Sequence, residues 1–382
     1  MNDCGKTRVL HIVGGMNRGG VETWLMHVLR HIDKERFEMD FLVHTLEPCA
    51  YDNEIRAWGS KIFPCLHPQK PFRYAIGLRR VLKAHGRYDV LHSHVHHFSG
   101  FTLALGRLAG VPLRIAHSHL DSRPVDSAGK GLRRVYLKGM RKLIRMNATS
   151  FLAASQQAGE ALFGSHWDQD QRSRIAFYGI DLKPFRNASR DRSLRYGLGL
   201  PEQAFVVGHV GAFRRQKNHS FLLDISAELV QRDPQSRLLL VGDGPLRMGI
   251  EKKARAMGLH DRMIFAGSRS DVPDLMTQAM DAYVMPSLYE GLGIVCIEAQ
   301  AAGLPLVISD RIPPEVDVLP GLVQRVSLSA PPSFWAEKLL QGKGKKLVDG
   351  AGARAVEESP FSILKSVASL EKIYEGKKHR HP

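Results

Sequence analysis

Short apolar runs rich in β-branched residues alternate with longer amphipathic segments along most of this chain, and this alternation constrains the fold. The expected strands of the first half are "RVLHIV", "EMDFLVHT", "YDVLHSHV" and "LRIAHSH". The helical patterns between them are "VETWLMHVLRHI", "AIGLRRVLKAHG" and "FTLALGRLAG". Because a helix-length segment follows each strand, we expect the strands to lie parallel in a sheet covered by helices on both faces.

The same alternation restarts after a polar, arginine-rich stretch at residues 185–203. The fold class is therefore α/β, with two doubly wound, Rossmann-like parallel-sheet domains facing each other across a cleft. We expect residues 1–190 to form the first domain and residues 191–355 the second. Residues 356–382 are expected to supply a helix that packs back on the first domain, followed by a frayed tail, "KKHRHP".

The chain is basic, with 54 Lys and Arg against 38 Asp and Glu and a formal charge of +16. This charge favours anionic partners such as nucleotides, nucleic acid or an acidic membrane, although it also fits a surface whose charge only aids solubility. No apolar run reaches the length of a signal-peptide core or a membrane span. Four cysteines lack CxxC or metal-ligand spacing, which predicts reduced thiols in a cytoplasmic protein: Cys4, Cys49, Cys65 and Cys296.

Two glutamates, Glu290 and Glu298, bracket the apolar, glycine-rich run "GLGIVCI". Gly291 and Gly293 argue against one continuous helix through both glutamates. We therefore expect Glu290 in the loop that leaves the strand "AYVMPS". A helix then begins near Gly293, with Glu298 in its second turn.

Ligands of an open α/β sheet bind beyond the carboxyl ends of the strands, where this loop is expected to lie. Free N–H groups at a helix start, reached closely across glycines, suit a phosphate. Glu298 can accept hydrogen bonds from a ribose diol, and Glu290 then faces the group attached to the phosphate. The alternatives are an exposed glutamate at a helix start, which fits Glu290 alone, and a glycosidase-type carboxylate pair, which lacks an aromatic sugar platform here.

The first strand-to-helix turn, "GGMNRGGVE", differs from the GxGxxG dinucleotide fingerprint. Its glycines still permit close backbone approach to a ligand, and Gly15 and Gly19 are the candidates, with Arg18 beside them. A tight turn without a ligand is the alternative. Nucleic-acid binding finds no support beyond the charge, because no aromatic–basic module or helix-turn-helix pattern is present.

Histidines are abundant, and "HSHVHHF" places His92, His94 and His96 on one side if the strand continues through them. Zinc would need three or four converging ligands with a second shell. Histidines at a strand end also line polar clefts, and we expect no metal here.

Six motifs follow one another along the chain: "GGMNRGGVET", "DVLHSHVHHFSG", "RIAHSH", "GHVGAFRRQKNH", "LVGDGP" and E-x7-E before "AQAAGLPLVISD". As an ordered set, they resemble glycosyltransferase family 4, which has the GT-B fold. The resemblance runs from Arg8 to Tyr374 and is closest to the branch of bacterial capsular and exopolysaccharide assembly. It implies a retaining transferase of the hexosyltransferase type that needs no metal or other cofactor. The implied partners are a nucleotide-sugar donor and a saccharide acceptor, which a lipid diphosphate can carry.

The resemblance also implies roles for individual residues. Glu290 contacts the donor sugar hydroxyls, Glu298 contacts the ribose, and Lys217 contacts the diphosphate. Backbone N–H groups hold the sugar and diphosphate, and those implied are at Gly291, Leu292 and Gly293.

This chain departs from the family pattern at Ala212, where many relatives have an arginine that contacts the diphosphate. Arg215 or Arg214 is a candidate replacement. If neither replaces it, donor binding is weak or activity is lost.

"AHSHLD" matches the family position of a histidine that faces the donor sugar. His119 is the first candidate and His117 the second, with His94 and Arg18 lining the cleft or acceptor site. "LVGDGP", with Gly242, is expected to shape the nucleotide pocket, and "IFAG" to offer backbone groups to the base.

Residues 129–147 interleave apolar residues with Lys and Arg at near-helical spacing. This segment predicts either contact with an anionic inner membrane surface or an ordinary surface helix. Two rival functions remain open within the same architecture: a nucleotide-sugar 2-epimerase, and a family member that binds donor with impaired transfer.

Overall fold

A computed structural model describes residues 5–66, 69–127, 131–186, 193–348 and 350–376. The chain divides into two compact units. Unit 1 consists of Met1–Gly179 with Ile363–Pro382, and unit 2 consists of Ile180–Ser362. The expectations about Cys4 and the tail "KKHRHP" fall outside the described residues.

Seven parallel strands form the sheet of unit 1: β1 (Thr7–Val13), β2 (Phe37–Val43), β3 (Ile62–Pro64), β4 (Val90–Ser93), β5 (Leu113–Ser118), β6 (Ser150–Ala153) and β7 (Ser173–Ile175). Their spatial order is β3-β2-β1-β4-β5-β6-β7. The central strands are buried along almost their whole length because helices cover both faces, which explains their continuous apolar runs.

The helices of the amino-terminal part of unit 1 are α1 (Gly20–His31), α2 (Asp52–Ala57), α3 (Pro71–Ala84), α4 (Ser99–Leu108), α5 (Arg123–Asp126), α6 (Leu132–Asn147) and α7 (Gln156–Phe163). Local sequence sets several of their starts. Pro71 occupies the first turn of α3, where its missing N–H costs nothing. The Ser155 hydroxyl accepts the Ala158 N–H at 3.1 Å and caps α7.

Six parallel strands form the sheet of unit 2: β8 (Val206–Val210), β9 (Arg237–Val241), β10 (Met263–Gly267), β11 (Ala282–Met285), β12 (Leu306–Ser309) and β13 (Val323–Val326). Their spatial order is β10-β9-β8-β11-β12-β13. The helices of unit 2 are α8 (Lys183–Arg186), α9 (Ser193–Gly197), α10 (His219–Arg232), α11 (Arg247–Ala256), α12 (Val272–Asp274), α13 (Ile294–Ala301), α14 (Pro332–Gln341) and α15 (Ala351–Glu358).

Both sheets have the strand order of a doubly wound fold, so the predicted α/β class with two Rossmann-like parallel sheets is confirmed. The order reverses between β1 and β4 in unit 1, and between β8 and β11 in unit 2. Ligands of such sheets bind beyond the carboxyl ends of the strands at this switch point. These two strand pairs are therefore where functional side chains are expected.

Each sheet is held by its own apolar core. In unit 1, Leu10, Leu91 and Phe151 belong to one buried cluster, and in unit 2 Leu240 and Trp335 belong to another. Full burial of a side chain of this size contributes about 1.5–3 kcal/mol, so each core strongly stabilises the sheet it covers.

The last helix, α16 (Ile363–Glu375), belongs to unit 1 although it follows unit 2 in the chain. It packs on α1, and the Trp24 indole N–H donates to the Ser366 hydroxyl at 3.4 Å. The units part at residues 179/180 and 362/363, whereas the sequence placed the boundaries at 190/191 and 355/356. The two crossings lie side by side, because the Ile180 N–H donates to the Phe361 carbonyl at 2.9 Å.

The expected strand "YDVLHSHV" ends two residues early, and it does not continue through His92, His94 and His96, which was the condition for placing all three on one side. β4 stops at Ser93, and a 3-10 turn begins at His96, whose φ is 51°. The chain turns here because α4 starts a few residues later, at Ser99. His96 therefore leaves the face that the strand pattern gave it.

The segment "DVPDLMTQA" forms α12 followed by a π-helix, Leu275–Ala279, rather than one regular helix. Lys346 of the lysine-rich "GKGKK" accounts for the end of this element. Its ammonium donates to the carbonyls of Met276, Thr277 and Met280 at 3.2, 2.7 and 2.7 Å. Burial lowers the pKa of Lys346 to about 8. One lysine of the basic run "GKGKK" thus stabilises the fold through its hydrogen bonds.

Across the described ranges, we find no helix that combines the length and the apolarity needed to cross a bilayer.

Candidate functional site

Lys217 and Glu290 form a close ion pair at the carboxyl ends of the central strands of unit 2. The Lys217 Nζ lies 2.8 Å from the Glu290 Oε1, and the Gln216 Nε2 donates to the Glu290 Oε2 at 3.0 Å. The side chains of Lys217 and Glu290 are only 15% and 7% exposed. The carboxylate is thus held by two donors, and the ammonium is held at a fixed place beside it.

Two loops position this pair. Lys217 ends a 3-10 turn, Arg215–Lys217, that connects β8 to α10, and Glu290 follows β11. The Leu288 N–H donates to the Gln216 carbonyl at 2.8 Å and joins the loops. Gly211 leaves room for the lysine, because a Cβ there would lie 3.0 Å from the Lys217 Cε. A glycine at the end of β8 therefore lets Lys217 lie back over the sheet.

The arginines proposed to replace the family arginine at Ala212 lie in the same loop. Ala212, Arg214 and Arg215 are all exposed. Within the described part of the chain, neither guanidinium takes part in a hydrogen bond or an ion pair. Both are therefore free to contact an anion beside Lys217.

Glu298 lies in the second turn of α13, as expected, and Gly293 precedes the first helical residue. Among the described residues, its carboxylate has no hydrogen-bond or ion-pair partner. Burial in apolar surroundings raises the pKa of Glu298 to about 7 from an ordinary 4.5. Hydroxyl groups that donate hydrogen bonds to this carboxylate would thus stabilise its charged form.

The start of α13 depends on glycine. Gly293 has φ 89° and ψ 50°, a left-handed conformation that strains other residues. Gly291 and Leu292 are buried before it, Leu292 with 3% exposure. Their predicted backbone contacts to a ligand remain predictions.

Gly242 is required by packing between two loops. It has φ 139°, and a Cβ there would overlap the Gly211 carbonyl oxygen. Its N–H already donates to the Gly267 carbonyl at 2.8 Å. The structure thus gives this glycine a role in shaping the loops after β8, β9 and β10, and its predicted contact with the donor remains a prediction.

The first turn of unit 1 is also close-packed. A Cβ on Gly15 would lie 3.0 Å from the Thr45 Cγ2, and a Cβ on Gly19 would overlap the Glu22 carboxylate. Gly19 is the N-cap of α1. Arg18 is exposed, with its guanidinium 5.9 Å from the centre of the Tyr51 ring. A Cβ on Gly15 would thus be crowded, whereas the Glu22 side chain could move away from one on Gly19, and Arg18 is available to a ligand.

Five histidines cluster at the carboxyl ends of β1, β4 and β5. They join two hydrogen-bonded chains, each ending on a tyrosine hydroxyl. The first chain runs His11–His94–His119–Tyr178, with 2.9 and 2.8 Å between the histidine nitrogens, and the second runs His117–His92–Tyr374, with contacts of 3.1 and 2.9 Å. The three histidines predicted at this site, His94, His117 and His119, are therefore brought together.

The cluster is electrically neutral at ordinary pH. Burial lowers the pKa of His119 and that of His11 to about 3, and it holds the pKa values of His92, His94 and His117 well below their usual range. Neutral imidazoles can donate and accept hydrogen bonds, but with such low pKa values they are weak bases.

Gln216, His11, Tyr178 and Tyr374 were not predicted. His11 carries a usable signal, because a polar residue inside the buried strand "RVLHIV" needs a polar neighbour. The other three residues carry no such signal in the sequence. Tyr374, for example, reaches the cluster only because α16 packs on α1.

Two family models cover most of the chain. Residues 19–176 match the glycosyl transferase 4-like domain, and residues 191–329 match glycosyl transferases group 1.

Relatives extend this match along the chain. EpsF of Bacillus subtilis (strain 168), provisionally named a glycosyltransferase, is 41% identical over 89% of this chain and 88% of its own. The UDP-Gal:α-D-GlcNAc-diphosphoundecaprenol α-1,3-galactosyltransferase of Escherichia coli is 25% identical over 80% of each chain. The crystal structure of Anabaena Alr3699/HepE in complex with UDP-glucose superposes with a TM-score of 0.78, covering 97% of this chain and 99% of its own at 19% identity.

The two Rossmann-like sheets and the superposition show the GT-B fold, and the family match shows that the protein is a glycosyltransferase. The chain belongs to glycosyltransferase family 4.

Proposed function

We propose that this glycosyltransferase transfers a sugar, with retention of anomeric configuration, from a nucleotide-sugar to a lipid-diphosphate-linked saccharide in exopolysaccharide or capsule biosynthesis. The observation that carries the proposal is the Lys217–Glu290 pair at the switch point of unit 2. It combines a fixed cation for a diphosphate with a carboxylate for sugar hydroxyls. The resemblance to family 4 supplies these roles, and the geometry is compatible with them.

The donor diphosphate lies, in this proposal, against Lys217, the exposed Arg215 and the backbone before α13. A lysine ammonium is a point charge suited to phosphate oxygens. The Lys217 Nζ contacts Glu290 at 2.8 Å, which holds the ammonium in the loop that is proposed to face the diphosphate. Gly291, Leu292 and Gly293 then offer their backbone.

Glu290 and Glu298 orient the two ends of the donor. Glu290 accepts from the sugar hydroxyls while Gln216 keeps its other oxygen in place at 3.0 Å. Glu298 accepts from the ribose diol. Because hydroxyl donors favour a charged carboxylate, donor binding should lower the raised pKa of Glu298.

In the transfer step, the bond from the anomeric carbon to the diphosphate oxygen breaks as the acceptor hydroxyl oxygen bonds to that carbon on the same face, and the hydroxyl proton passes to the departing diphosphate oxygen. Glu290 is already hydrogen-bonded by Lys217 and Gln216 and so is a poor nucleophile, which favours a route without a covalent sugar–enzyme intermediate. Lys217 and its neighbours stabilise the charge that develops on the diphosphate. We propose that this cation replaces a metal ion and that no other cofactor takes part.

The histidines of unit 1 are proposed to contact the donor sugar or the acceptor by hydrogen bonds, with His119 first and His117 and His94 after it. Burial lowers the pKa of His119 to about 3, which argues against an obligatory general base. The neutral ring can still bind a hydroxyl.

A lipid-linked acceptor is supported by the E. coli relative, whose name specifies a diphosphoundecaprenol acceptor. Polysaccharide biosynthesis is supported by the similarity to the Vi polysaccharide biosynthesis protein VipC/TviE of Salmonella typhi, which is 39% identical over 27% of this chain and 18% of its own. We place the protein in the cytoplasm, on the inner face of the cell membrane.

The membrane contact is assigned to α6. Leu132 and Val135 are 90% and 68% exposed on this helix, and Lys138 and Lys142 are exposed beside them. Apolar side chains next to basic ones suit the interface of an anionic leaflet.

Turnover measurements test the proposal. Nucleotide-sugars are first screened by thermal shift, and release of the nucleoside diphosphate is then measured with and without a lipid-linked acceptor. We expect Lys217→Ala and Glu290→Ala to lower kcat/KM by about 10²–10³-fold, because each removes a contact to the reacting donor. Lys253→Ala is the matched control, since its ammonium also pairs with a carboxylate, Asp224, at 3.0 Å on the surface of unit 2.

Near-wild-type turnover in both Lys217→Ala and Glu290→Ala would remove the site assignment. Conversion of the donor to an epimer without an acceptor would favour the 2-epimerase. Donor binding without turnover of any acceptor would indicate a family member that has lost transfer.

A further inference from the structure

Three imidazoles of the histidine cluster in unit 1 converge on one point. His94, His117 and His119 each offer a nitrogen, and these nitrogens all lie within 4.8 Å of one another. His117 is fully buried, while His94 and His119 are partly exposed. The group thus joins one fully buried ring to two partly buried ones.

Each of the three rings has its second nitrogen engaged by a neighbour outside the trio. These contacts join His94 Nε2 to His11 Nδ1 at 2.9 Å, His117 Nδ1 to His92 Nε2 at 3.1 Å, and His119 Nδ1 to the Tyr178 hydroxyl. Such contacts fix the tautomer and the ring orientation of metal-binding histidines. They leave His94 Nδ1, His117 Nε2 and His119 Nε2 directed toward each other.

The His117 Nε2 is a buried polar atom without a hydrogen-bond partner among the described residues. Leaving such an atom unsatisfied costs about 1–3 kcal/mol, so a water molecule or a ligand in contact with it would stabilise the site. An electron-pair acceptor at the centre of the trio would satisfy it.

We propose that His94 Nδ1, His117 Nε2 and His119 Nε2 bind a divalent transition-metal ion of the Zn²⁺ type, with a fourth position open to solvent or an anion. Three imidazoles with one open position are a common zinc-binding set. Imidazole also suits Cu²⁺ and Ni²⁺, whereas Mg²⁺ and Ca²⁺ prefer oxygen ligands, which the trio does not offer.

One of the three nitrogen pairs is already close to the spacing that a bound ion requires. His94 Nδ1 and His119 Nε2 are 2.8 Å apart. Tetrahedral coordination at about 2.0–2.1 Å requires roughly 3.3 Å between ligand nitrogens, so the pair would open by about 0.5 Å.

The site uses the three histidines that are also proposed to contact the sugar, but not Lys217, the cation of the proposed transfer. A bound ion would occupy the ring nitrogens, so a sugar hydroxyl would meet the open position of the ion instead. Metal uptake is measured without donor or acceptor, which separates a failure of this proposal from a failure of the proposed function.

Metal uptake by the full chain tests the proposal. The untagged protein carries His379→Ala and His381→Ala, so that histidines of the tail do not bind metal, and it is stripped with a chelator before equilibrium dialysis against Zn²⁺. We expect one bound Zn²⁺ per chain. His117→Ala and His119→Ala should each weaken binding by at least about tenfold. His166→Ala, which removes an exposed histidine, is the matched control and should bind as tightly as the parent protein.

X-ray absorption at the zinc edge supplies a second readout that needs no variant. We expect three imidazole nitrogens at about 2.0–2.1 Å. Absence of Zn²⁺ uptake by the parent protein, or fewer than three imidazole ligands, would overturn the proposal. So would loss of binding in His11→Ala with retention in His117→Ala, since it would move the ion to the neighbouring group of His11, His92 and His94.

Discussion

The contact between Lys217 and Glu290 gives the site a fixed arrangement before any donor arrives. Both side chains are largely buried, and Gln216 holds the second carboxylate oxygen. In the proposed site, a cation that is already in position would lose little entropy on binding a diphosphate, and preorganised charge of this kind favours a transition state. Replacing either partner alone would leave the charge of the other buried without its counter-charge, so the effect of a single variant includes more than the lost contact.

Glu298 yields a prediction about pH. Below about pH 4.5 the carboxyl is protonated in both the folded and unfolded states. Between 4.5 and 7 the unfolded chain loses the proton while the folded chain keeps it, so the free energy of unfolding falls as pH rises and then levels off above 7. We expect Glu298→Gln to be more stable than wild type at pH 8, by about 1–3 kcal/mol, with this difference removed near pH 4.5.

Urea denaturation at several pH values measures this effect. Glu337→Gln, at an exposed glutamate of α14, is the control and should show no such pH dependence. A difference between Glu298→Gln and wild type that stays constant from pH 4.5 to 8 would contradict the raised pKa.

At the residue scale, the sequence predicted the positions that belong to a linear pattern. Glu298 was expected in the second turn of a helix beginning near Gly293, and it lies there. Gln216 could not be predicted, because its contact with Glu290 depends on how two loops meet. Tyr374 reaches His92 from the far end of the chain for the same reason.

At the scale of elements, the long periodic segments were predictable and the short irregular ones were not. β8 and α10 follow the expected pattern closely. β3 and β7 are three residues each at the edges of the sheet, too short for a periodic signal. The end of β4 differs from the end of the expected strand because the chain turns at His96 into the next helix. The periodicity of the strand does not encode this turn.

Lys346 is predicted to hold the end of the π-helix Leu275–Ala279. Lys346→Met removes the donor from three carbonyls, and we expect a loss of about 2–4 kcal/mol in the free energy of unfolding. Lys345→Met changes an exposed neighbour in the same segment and should cost little. Chemical denaturation compares the two variants, and equal stability would show that the carbonyl contacts contribute nothing.

The helix α6 is predicted to bind anionic membranes. Leu132→Ser with Val135→Ser should weaken flotation with anionic liposomes, because two exposed apolar side chains leave the interface. Met248→Ser with Leu364→Ser is the control, since those side chains are also exposed but lie outside α6, at 83% and 65%. Absence of flotation with either anionic or neutral lipid in the wild type would defeat the membrane assignment.

At the scale of the whole molecule, the sequence indicated two similar units but placed their limits inexactly. The chain leaves unit 1 at Gly179 and returns at Ile363, and the crossings are joined by the bond from Ile180 to Phe361. That bond pairs residues 181 positions apart, which local pattern cannot reveal. The net charge of +16, in contrast, is a property of the whole chain that can be counted directly from the sequence. A positive charge suits the proposed diphosphate donor and an anionic surface.

Calorimetry can compare the affinities of the protein for a nucleoside diphosphate and for the corresponding monophosphate. This comparison tests most directly whether Lys217 holds the leaving diphosphate. The double variant Lys217→Ala/Glu290→Gln avoids an unpaired buried carboxylate, and Lys253→Ala is the surface control. We expect the double variant to lose about 10–100-fold in affinity for the diphosphate and little for the monophosphate, because a charged hydrogen bond contributes about 1.5–3 kcal/mol. An equal loss for both nucleotides, or none for either, would contradict the assignment of Lys217 to the diphosphate.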